Sequence, residues 1–376
     1  MQNIKVSNKD EIIMKILHYF VTKENYKPMI IRGVTNEIWL ENLDNNLKII
    51  RINTGYLHNT EQLAFDVRKA KSIMKNIKRK TLSFKMNMLN IIVDSGENVK
   101  NVEEKDVETI RISKISDLKR NKFVKSFFPN ISEINSKKMS AIELFALTDE
   151  INEKNFKEEK KVMKLFKNKK PYVTYTLMFI NILIFILMLH PKIYNFMINN
   201  FANYYFFIKN GEVYRLITSG FLHANIIHIF FNMYALSVVG PEAERYYGKI
   251  KYLLIYFISM IIGNLFASVF TTSAGVGASG AIFGLFGSLL FFSYNYRATL
   301  DGLLRSPVMP TIFVNLIISF IIPNVSASAH IGGLVGGFLS SMAVGIETKK
   351  NKSNMINALI SILIMICFLG YVIYTK

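Results

Sequence analysis

Among the polar side chains that interrupt the apolar stretches of the sequence, five stand out: His223, His228, Asn232, Ser279 and His330. A hydroxyl becomes a strong nucleophile when a base takes its proton, and imidazole is the commonest base, which singles out Ser279 and His330. Ser279 sits in Gly277-Ala278-Ser279-Gly280-Ala281-Ile282-Phe283-Gly284, where small neighbours let other backbones approach and leave the hydroxyl accessible. The spacing places it in the first turn of a helix, where unpaired N–H groups and the positive dipole end favour a developing anion. His330 opens another helical stretch in Ala329-His330-Ile331-Gly332-Gly333, followed by Gly336 and Gly337. The pairs Gly332/Gly336, Gly333/Gly337 and Gly280/Gly284 are small residues four apart, a pattern that brings helix backbones into contact in lipid. If these two helices pack through their glycines, Ser279 and His330 share one depth and form a nucleophile–base pair without a third carboxylate. Asn232 follows His228 by four positions, so both project from one helix face, whereas His223 lies five positions earlier and is rotated away. Taken singly, a membrane serine bonds back to its own helix and a lone histidine satisfies a neighbour. The matched depth and the glycine stripes favour the chemical reading.

The elements that must hold these groups follow from the distribution of charge. The chain has 376 residues, of which 51% are hydrophobic, yet Lys+Arg number 46 against 27 Asp+Glu. Residues 1–170 carry 34 basic and 22 acidic side chains, and residues 171–376 only 12 and 5. A single globular domain, a fibrous protein and a disordered tail are all excluded; a soluble basic region precedes a membrane region. Seven helices are expected, at about 172–190, 221–240, 252–271, 277–295, 309–323, 330–346 and 356–374. His223, His228 and Asn232 then lie in the second, Ser279 in the fourth and His330 in the sixth. Basic residues before the first helix (Lys160 to Lys170), in the loop after the second (Arg245, Lys249, Lys251), after the fourth (Arg297, Arg305) and after the sixth (Lys349, Lys350, Lys352) all fall on one side. That side is cytosolic, which puts the N-terminus in and the C-terminus out. Residues 191–220 are rich in aromatics and are expected to lie on or partly in the outer leaflet. The lone Cys367 falls in the last apolar run, so neither a disulfide nor a cysteine zinc site is expected. Met1 to Lys15 has no apolar run, so a cleavable signal peptide is not expected either.

The front region reads as α/β, with helical spacing at Glu11–Phe20 and Glu61–Lys80 and short strands at Met29–Arg32, Lys48–Ile52 and Ile91–Val93. Arg68, Lys71, Lys75, Lys78 and Arg79 share one helix face, which is read as solvated rather than as a nucleic-acid binder. The stretch from Ser95 to Lys170 reads largely as linker, apart from a helix near Met139–Leu147. The expected organisation is a soluble cytosolic α/β domain over 1–135, a charged linker over 136–170, a six-helix core over 171–346 and a seventh helix over 347–376.

Three motifs, Gly277-x-Ser279-Gly280-Ala281, Ala329-His330-x-Gly332-Gly333 and Phe221-Leu222-His223…His228-x-x-x-Asn232-Met233, resemble those of the rhomboid family of intramembrane serine proteases. The resemblance covers about 171–346, and the seventh helix and front domain are similar to the GluP-type members. It implies an α-helical polytopic membrane protein in which Ser279 is nucleophile and His330 general base. It further implies that His228, Asn232 and the Ser279 backbone N–H form an oxyanion hole, and that Phe283 packs on the catalytic histidine. Gly277, Gly280, Gly332 and Gly333 support the site, and His223 matches a structural histidine. Gly240…Glu244-Arg245…Gly248 matches the family's turn between its second and third helices. Where the family commonly carries Trp-Arg in its outer loop, Tyr214-Arg215 stands here. The implied substrates are membrane proteins whose segments carry helix-weakening Gly or Pro and small residues near the outer surface. The lipid bilayer is the other partner; no nucleic acid, metal or cofactor is expected, and no His-Glu-x-x-His helix is present. The implied location is the plasma membrane of a bacterium.

Two other classes compete. A catalytically silent rhomboid-like scaffold would bind membrane proteins without cutting them, and the retention of both Ser279 and His330 argues against it. A small transporter would need intramembrane carboxylates, but Asp301, Glu242, Glu244 and Glu347 are all expected in loops.

Overall fold

The computed structural model describes residues 7–167, 169–297, 326–348 and 351–376, together with positions 310, 314 and 317. The chain divides into two compact units, Met1–Lys161 and Val162–Lys376.

In the first unit a five-stranded sheet runs in the order β1 (Lys27–Met29), β2 (Glu37–Glu41), β3 (Ile49–Asn53), β4 (Met88–Ile92) and β5 (Val107–Arg111). The first three strands are antiparallel meanders, and β3, β4 and β5 are mutually parallel. Every residue of β3 and β4 is buried, because helices cover both faces of the sheet. On one face, Leu40, Ile50, Ile52, Leu89, Ile91 and Ile110 pack with α1 (Asn8–His18), α3 (Ile115–Arg120) and α4 (Lys122–Phe127). On the other, Trp39, Ile49, Met88 and Ile92 pack against Leu63, Val67, Ala70, Met74 and Ile77, the inner stripe of α2 (Thr60–Lys80). Asn59 caps α2 by accepting from the Gln62 N–H, while Gln62 returns a bond to the His58 N–H.

β2 and β5 are absent from the expectations. Both are short, and β5 is an edge strand whose Glu108 and Arg111 break the apolar signal while fitting an open edge. In the stretch expected as charged linker, α5 runs over Ala141–Phe166. Its start is a capping box: Ser140 N–H donates to Glu143 at 2.6 Å and the Glu143 N–H to Ser140 Oγ at 3.3 Å.

One polar stripe crosses the α2 face of the sheet. Trp39, Arg51, Asn90 and Thr109 stand directly opposite one another on β2 to β5. Arg51 is fully buried and donates to Glu37 at 2.9 Å, to both Asp66 oxygens at 2.6 Å and to Asn90 at 2.8 Å. Burial pushes the Glu37 carboxyl up, but the Arg51 bonds and charge outweigh it and hold it below its ordinary value.

Among its described residues the second unit contains four helices long and apolar enough to cross a membrane: α10 (Ile226–Tyr247), α11 (Lys249–Phe270), α13 (Ala327–Val344) and α14 (Lys352–Thr375). Two shorter apolar helices, α6 (Tyr172–Met188) and α12 (Ser279–Asn295), accompany them among the described residues. Of the helix expected at 309–323, positions 310, 314 and 317 are helical; the rest, with Asp301, Arg305, Lys349 and Lys350, lies outside the described residues.

The second expected helix is displaced. Asn225 caps α10 by accepting from the His228 N–H at 2.9 Å, and the helix runs through Pro241 to Gly248, whose φ of +77° ends it. His223 therefore precedes the helix instead of lying in it, and Glu242, Glu244 and Arg245 are helical instead of looped. Glu244 is buried at the start of α6, accepting from the Val173 and Thr174 N–H groups at 3.1 and 2.8 Å and from Thr174 Oγ1 at 2.8 Å. A carboxylate is tolerated there because it satisfies a helix N-terminus and its dipole. The loop expected on the outer side folds into α7 (Pro191–Phe201), α8 (Tyr205–Lys209) and α9 (Arg215–Thr218). Buried Arg215 donates to Ala202 O at 3.0 Å and Asn199 O at 2.9 Å and stacks on Phe207, while Phe196, Phe206 and Tyr214 remain exposed.

Trp39 is the only tryptophan in the chain, so its fluorescence reports the front unit alone. Arg51→Met is expected to lower the urea stability read by Trp39 by about 2–4 kcal/mol, since it takes the Arg51 bonds from the partly buried Glu37 and Asp66 carboxylates and from buried Asn90. Because Glu37 titrates lower folded than unfolded, its contribution is complete above the unfolded carboxylate range and is lost as pH falls through the folded value. An unchanged midpoint in the variant, or stability that rises on acidification, would contradict this.

Candidate active site

Helices associate in lipid without a hydrophobic driving force between them, so close backbone packing must hold them together. Here three helices meet on glycine. A Cβ on Gly333 of α13 would stand 2.0 Å from the Gly280 carbonyl oxygen of α12, and one on Gly337 would stand 1.9 Å from Gly284 O. Gly263 of α11 closes the triangle, its would-be Cβ lying 2.8 Å from Ala329 O and 3.4 Å from both Gly280 Cα and Gly333 N. Gly332 and Gly336 face α11 instead, against Phe266 and Ile262. The stripes thus divide by face: one glycine of each adjacent pair contacts α12 and the other α11.

This packing sets the position of the reactive candidates. Ser279 is the first residue of α12 and is partly exposed, while its neighbour Gly280 meets the residue preceding His330. His330 lies in the first turn of α13, which Ser326 caps by accepting from the Ala329 N–H. The His330 ring is 5% exposed and lies flat on Phe283, with centroids 4.1 Å apart and planes 12° from parallel. Phe283 is one turn below Ser279, so a single helix carries both the hydroxyl and the ring that orients the imidazole.

A second group converges from α10. The position a Gly277 Cβ would take is 2.7 Å from His228 Cε1 and Nε2 and 3.8 Å from Asn232 Nδ2. With φ at +116°, Gly277 adopts a backbone that L side chains rarely reach, and its missing side chain is the space the His228 ring uses. Asn232 is buried and spends one amide N–H on the His228 carbonyl at 2.9 Å; the amide carries a second N–H beyond that bond. His223, fully buried, packs edge-on against the His228 ring at 5.1 Å.

The sequence-derived candidates therefore fall into two contacting groups, His228–Asn232–Gly277 and Phe283–His330, joined through the Gly277–Gly280 segment that contains Ser279. Gly263 and the buried polar groups of Asn203, Ser219 and Ser268 are absent from the expectations. A signal for part of this was available: Ser259, Asn264 and Ser268 are polar residues inside the apolar run of α11, and such residues are costly in a membrane helix.

A bundle of apolar helices of spanning length with a buried polar site at helix N-termini defines a polytopic membrane protein. Residues 210–347 match the Rhomboid domain. The rhomboid protease GluP of Bacillus subtilis is 28% identical over 363 residues, covering 91% of this chain and 71% of its own. YdcA of the same organism is 42% identical over 139 residues, covering 36% of this chain and 68% of its own. In Arabidopsis thaliana, a protein named inactive RHOMBOID-like protein 8 is 35% identical over 130 residues, which is 34% of this chain and 37% of its own. The chain belongs to the rhomboid family, and its similarity to GluP extends through the front unit.

The glycine contacts yield a paired prediction. Gly333→Ala places a methyl against backbone, which cannot yield as a side chain would, and is expected to destabilise the membrane unit by about 1–3 kcal/mol. Gly370→Ala on α14 meets nothing within 4 Å and is expected to be neutral. Thermal unfolding of the two variants in detergent checks this; equal midpoints would count against backbone contact between α12 and α13.

Proposed function

We propose that the chain is an intramembrane serine protease that hydrolyses peptide bonds in or near transmembrane segments of membrane proteins. The observation that carries this reading is the convergence of His228 and Asn232 on the Gly277 segment, together with the stacking of His330 on Phe283, around the N-terminus that begins with Ser279. In this reading Ser279 Oγ attacks the scissile carbonyl and its proton passes to His330. The carbonyl oxygen, now anionic, accepts hydrogen bonds from the Ser279 backbone N–H, the Asn232 amide and the His228 ring. His330 then gives its proton to the leaving amine, and water, deprotonated by His330 in turn, releases the acyl group from Ser279.

The substrate peptide must be extended at the site, because a peptide bond within a helix is shielded by its own hydrogen bonds. Segments with Gly or Pro and small side chains meet that need most cheaply. We place the protein in the plasma membrane of a bacterium, with the N-terminus cytosolic and the C-terminus outside, on the distribution of Lys and Arg. The buried Glu244 does not favour a transporter: both of its oxygens are engaged by the α6 N-terminus.

The second reading, a silent scaffold, draws support from a relative named inactive. Cleavage of a test transmembrane substrate in phospholipid vesicles separates the two. The protease reading expects turnover by wild type, none by Ser279→Ala or His330→Ala, and a loss of about 10²–10³ in kcat for Asn232→Ala with the fold retained. Binding of the substrate without cleavage by wild type would establish the scaffold instead. Unaltered turnover by Asn232→Ala would remove that residue from the site.

A further inference from the structure

The segment that leads into Ser279, Gly275-Val276-Gly277, is irregular backbone at the outer end of the helical bundle. Backbone of this kind persists in a membrane only where protein satisfies its polar groups. Here that protein is a buried polar network. Asn203 pairs with Gly275 in both directions, each N–H donating to the other carbonyl at 2.9 Å. The Gly277 N–H donates to Ser219 O at 3.0 Å. Both anchors are in turn held from α11. Asn264 donates through Nδ2 to Leu216 O at 2.8 Å and to Ser219 Oγ at 3.1 Å. Its main-chain carbonyl accepts from Asn203 Nδ2 at 3.0 Å and from Ser268 Oγ at 2.9 Å, and Ser268 Oγ also faces Asn203 Oδ1 at 3.0 Å. Asn203, Ser219 and Ser268 are each no more than 2% exposed.

We propose that Asn264 and Asn203 are positioning residues for the nucleophile: they fix the height of the Gly275–Gly277 ribbon against α10. The inference rests on the protease reading of Ser279. Its physical basis is the ordering of the contacts. Gly277 touches the His228 ring, and the Ser279 N–H follows two residues later, so a shift of the ribbon moves one oxyanion donor relative to the other two. Two glycines flank this ribbon and supply no side chain to lock it, so its register depends on the backbone bonds to Asn203 and Ser219. Asn264 commits both side-chain amide hydrogens to holding the Leu216–Ser219 turn, and its main-chain carbonyl orients Asn203. A displacement of about 1 Å in such a geometry costs on the order of 10²-fold in rate while leaving distant substrate contacts intact.

The test uses the full chain in phospholipid vesicles and compares wild type with Asn264→Leu and Ser268→Ala. Asn264→Leu keeps the side chain's shape and removes both donors; Ser268→Ala removes one hydroxyl, which lies between Asn264 O and Asn203 Oδ1, and is the milder change. Three quantities are read: the rate constant for fluorophosphonate labelling of Ser279, the fraction labelled at exhaustion, and kcat and KM for a transmembrane substrate. The expected result for Asn264→Leu is a fall of about 10–100-fold in both the labelling rate constant and kcat. KM stays within about threefold and the final labelled fraction is unchanged. Ser268→Ala moves the same two rates in the same direction by less. Unchanged rates overturn the inference. So does a reduced labelled fraction whose remaining molecules react at the wild-type rate, since that is loss of fold and not of position. A wild type that cleaves nothing and does not label at Ser279 overturns the protease reading, and this inference with it.

Discussion

Everything in the membrane unit depends on backbone touching backbone where α11, α12 and α13 cross. In water, helices would be driven together by apolar burial; in lipid that force is missing, and association depends on how closely the helices approach. Gly263, Gly280 and Gly333 reduce the separation until the carbonyl of one helix fills the space a methyl would need on the next. The consequence is chemical as well as mechanical. The crossing lies one residue from Ser279 on α12 and takes in Ala329, the residue preceding His330, on α13, so it sets the distance between the two groups proposed to react. Phe283 and His330 then stack because their helices are already close. Larger residues at the crossing would leave the individual side chains in place and separate them from one another.

Much of this was legible in the sequence. The glycines four apart pointed to contact between α12 and α13, which Gly333 and Gly337 make; Gly332 and Gly336 turn instead to α11, a contact the spacing alone did not assign. The four-residue step from His228 to Asn232 predicted a shared face, and both approach Gly277. Helix boundaries were less legible. The apolar run alone started the second helix at 221, but Asn225 provides the cap, and the stop is Gly248, not Pro241. That displacement moved His223 off the helix and brought Glu244 onto it. Hydropathy treats a carboxylate as a loop residue; it does not register that the three donors at the start of α6 make a buried carboxylate favourable.

The front unit shows the same limit in another form. β5 and α5 fall in charged sequence and carry their apolar residues sparsely, since one is an edge strand and the other exposes most of its surface. The Arg51 network was hidden for a different reason. Its members lie far apart in the chain, at Glu37, Arg51, Asp66 and Asn90, and only the sheet register and the α2 crossover bring them together. Non-local polar networks leave little periodic trace. The network around Asn203 and Asn264, 61 residues apart, is hidden in the same way.

The net charge of the chain reflects this division of labour. Residues 1–170 hold most of the ionisable groups, whereas the residues placed in the site are uncharged side chains, histidines and glycines. The central claim is that one serine among these is activated by one histidine. Its most direct test is to treat the wild-type protein with a fluorophosphonate and locate the adduct by peptide mass spectrometry. The account predicts a single adduct on Ser279 that disappears in His330→Ala. An adduct elsewhere, or labelling of Ser279 at the same rate without His330, would contradict it.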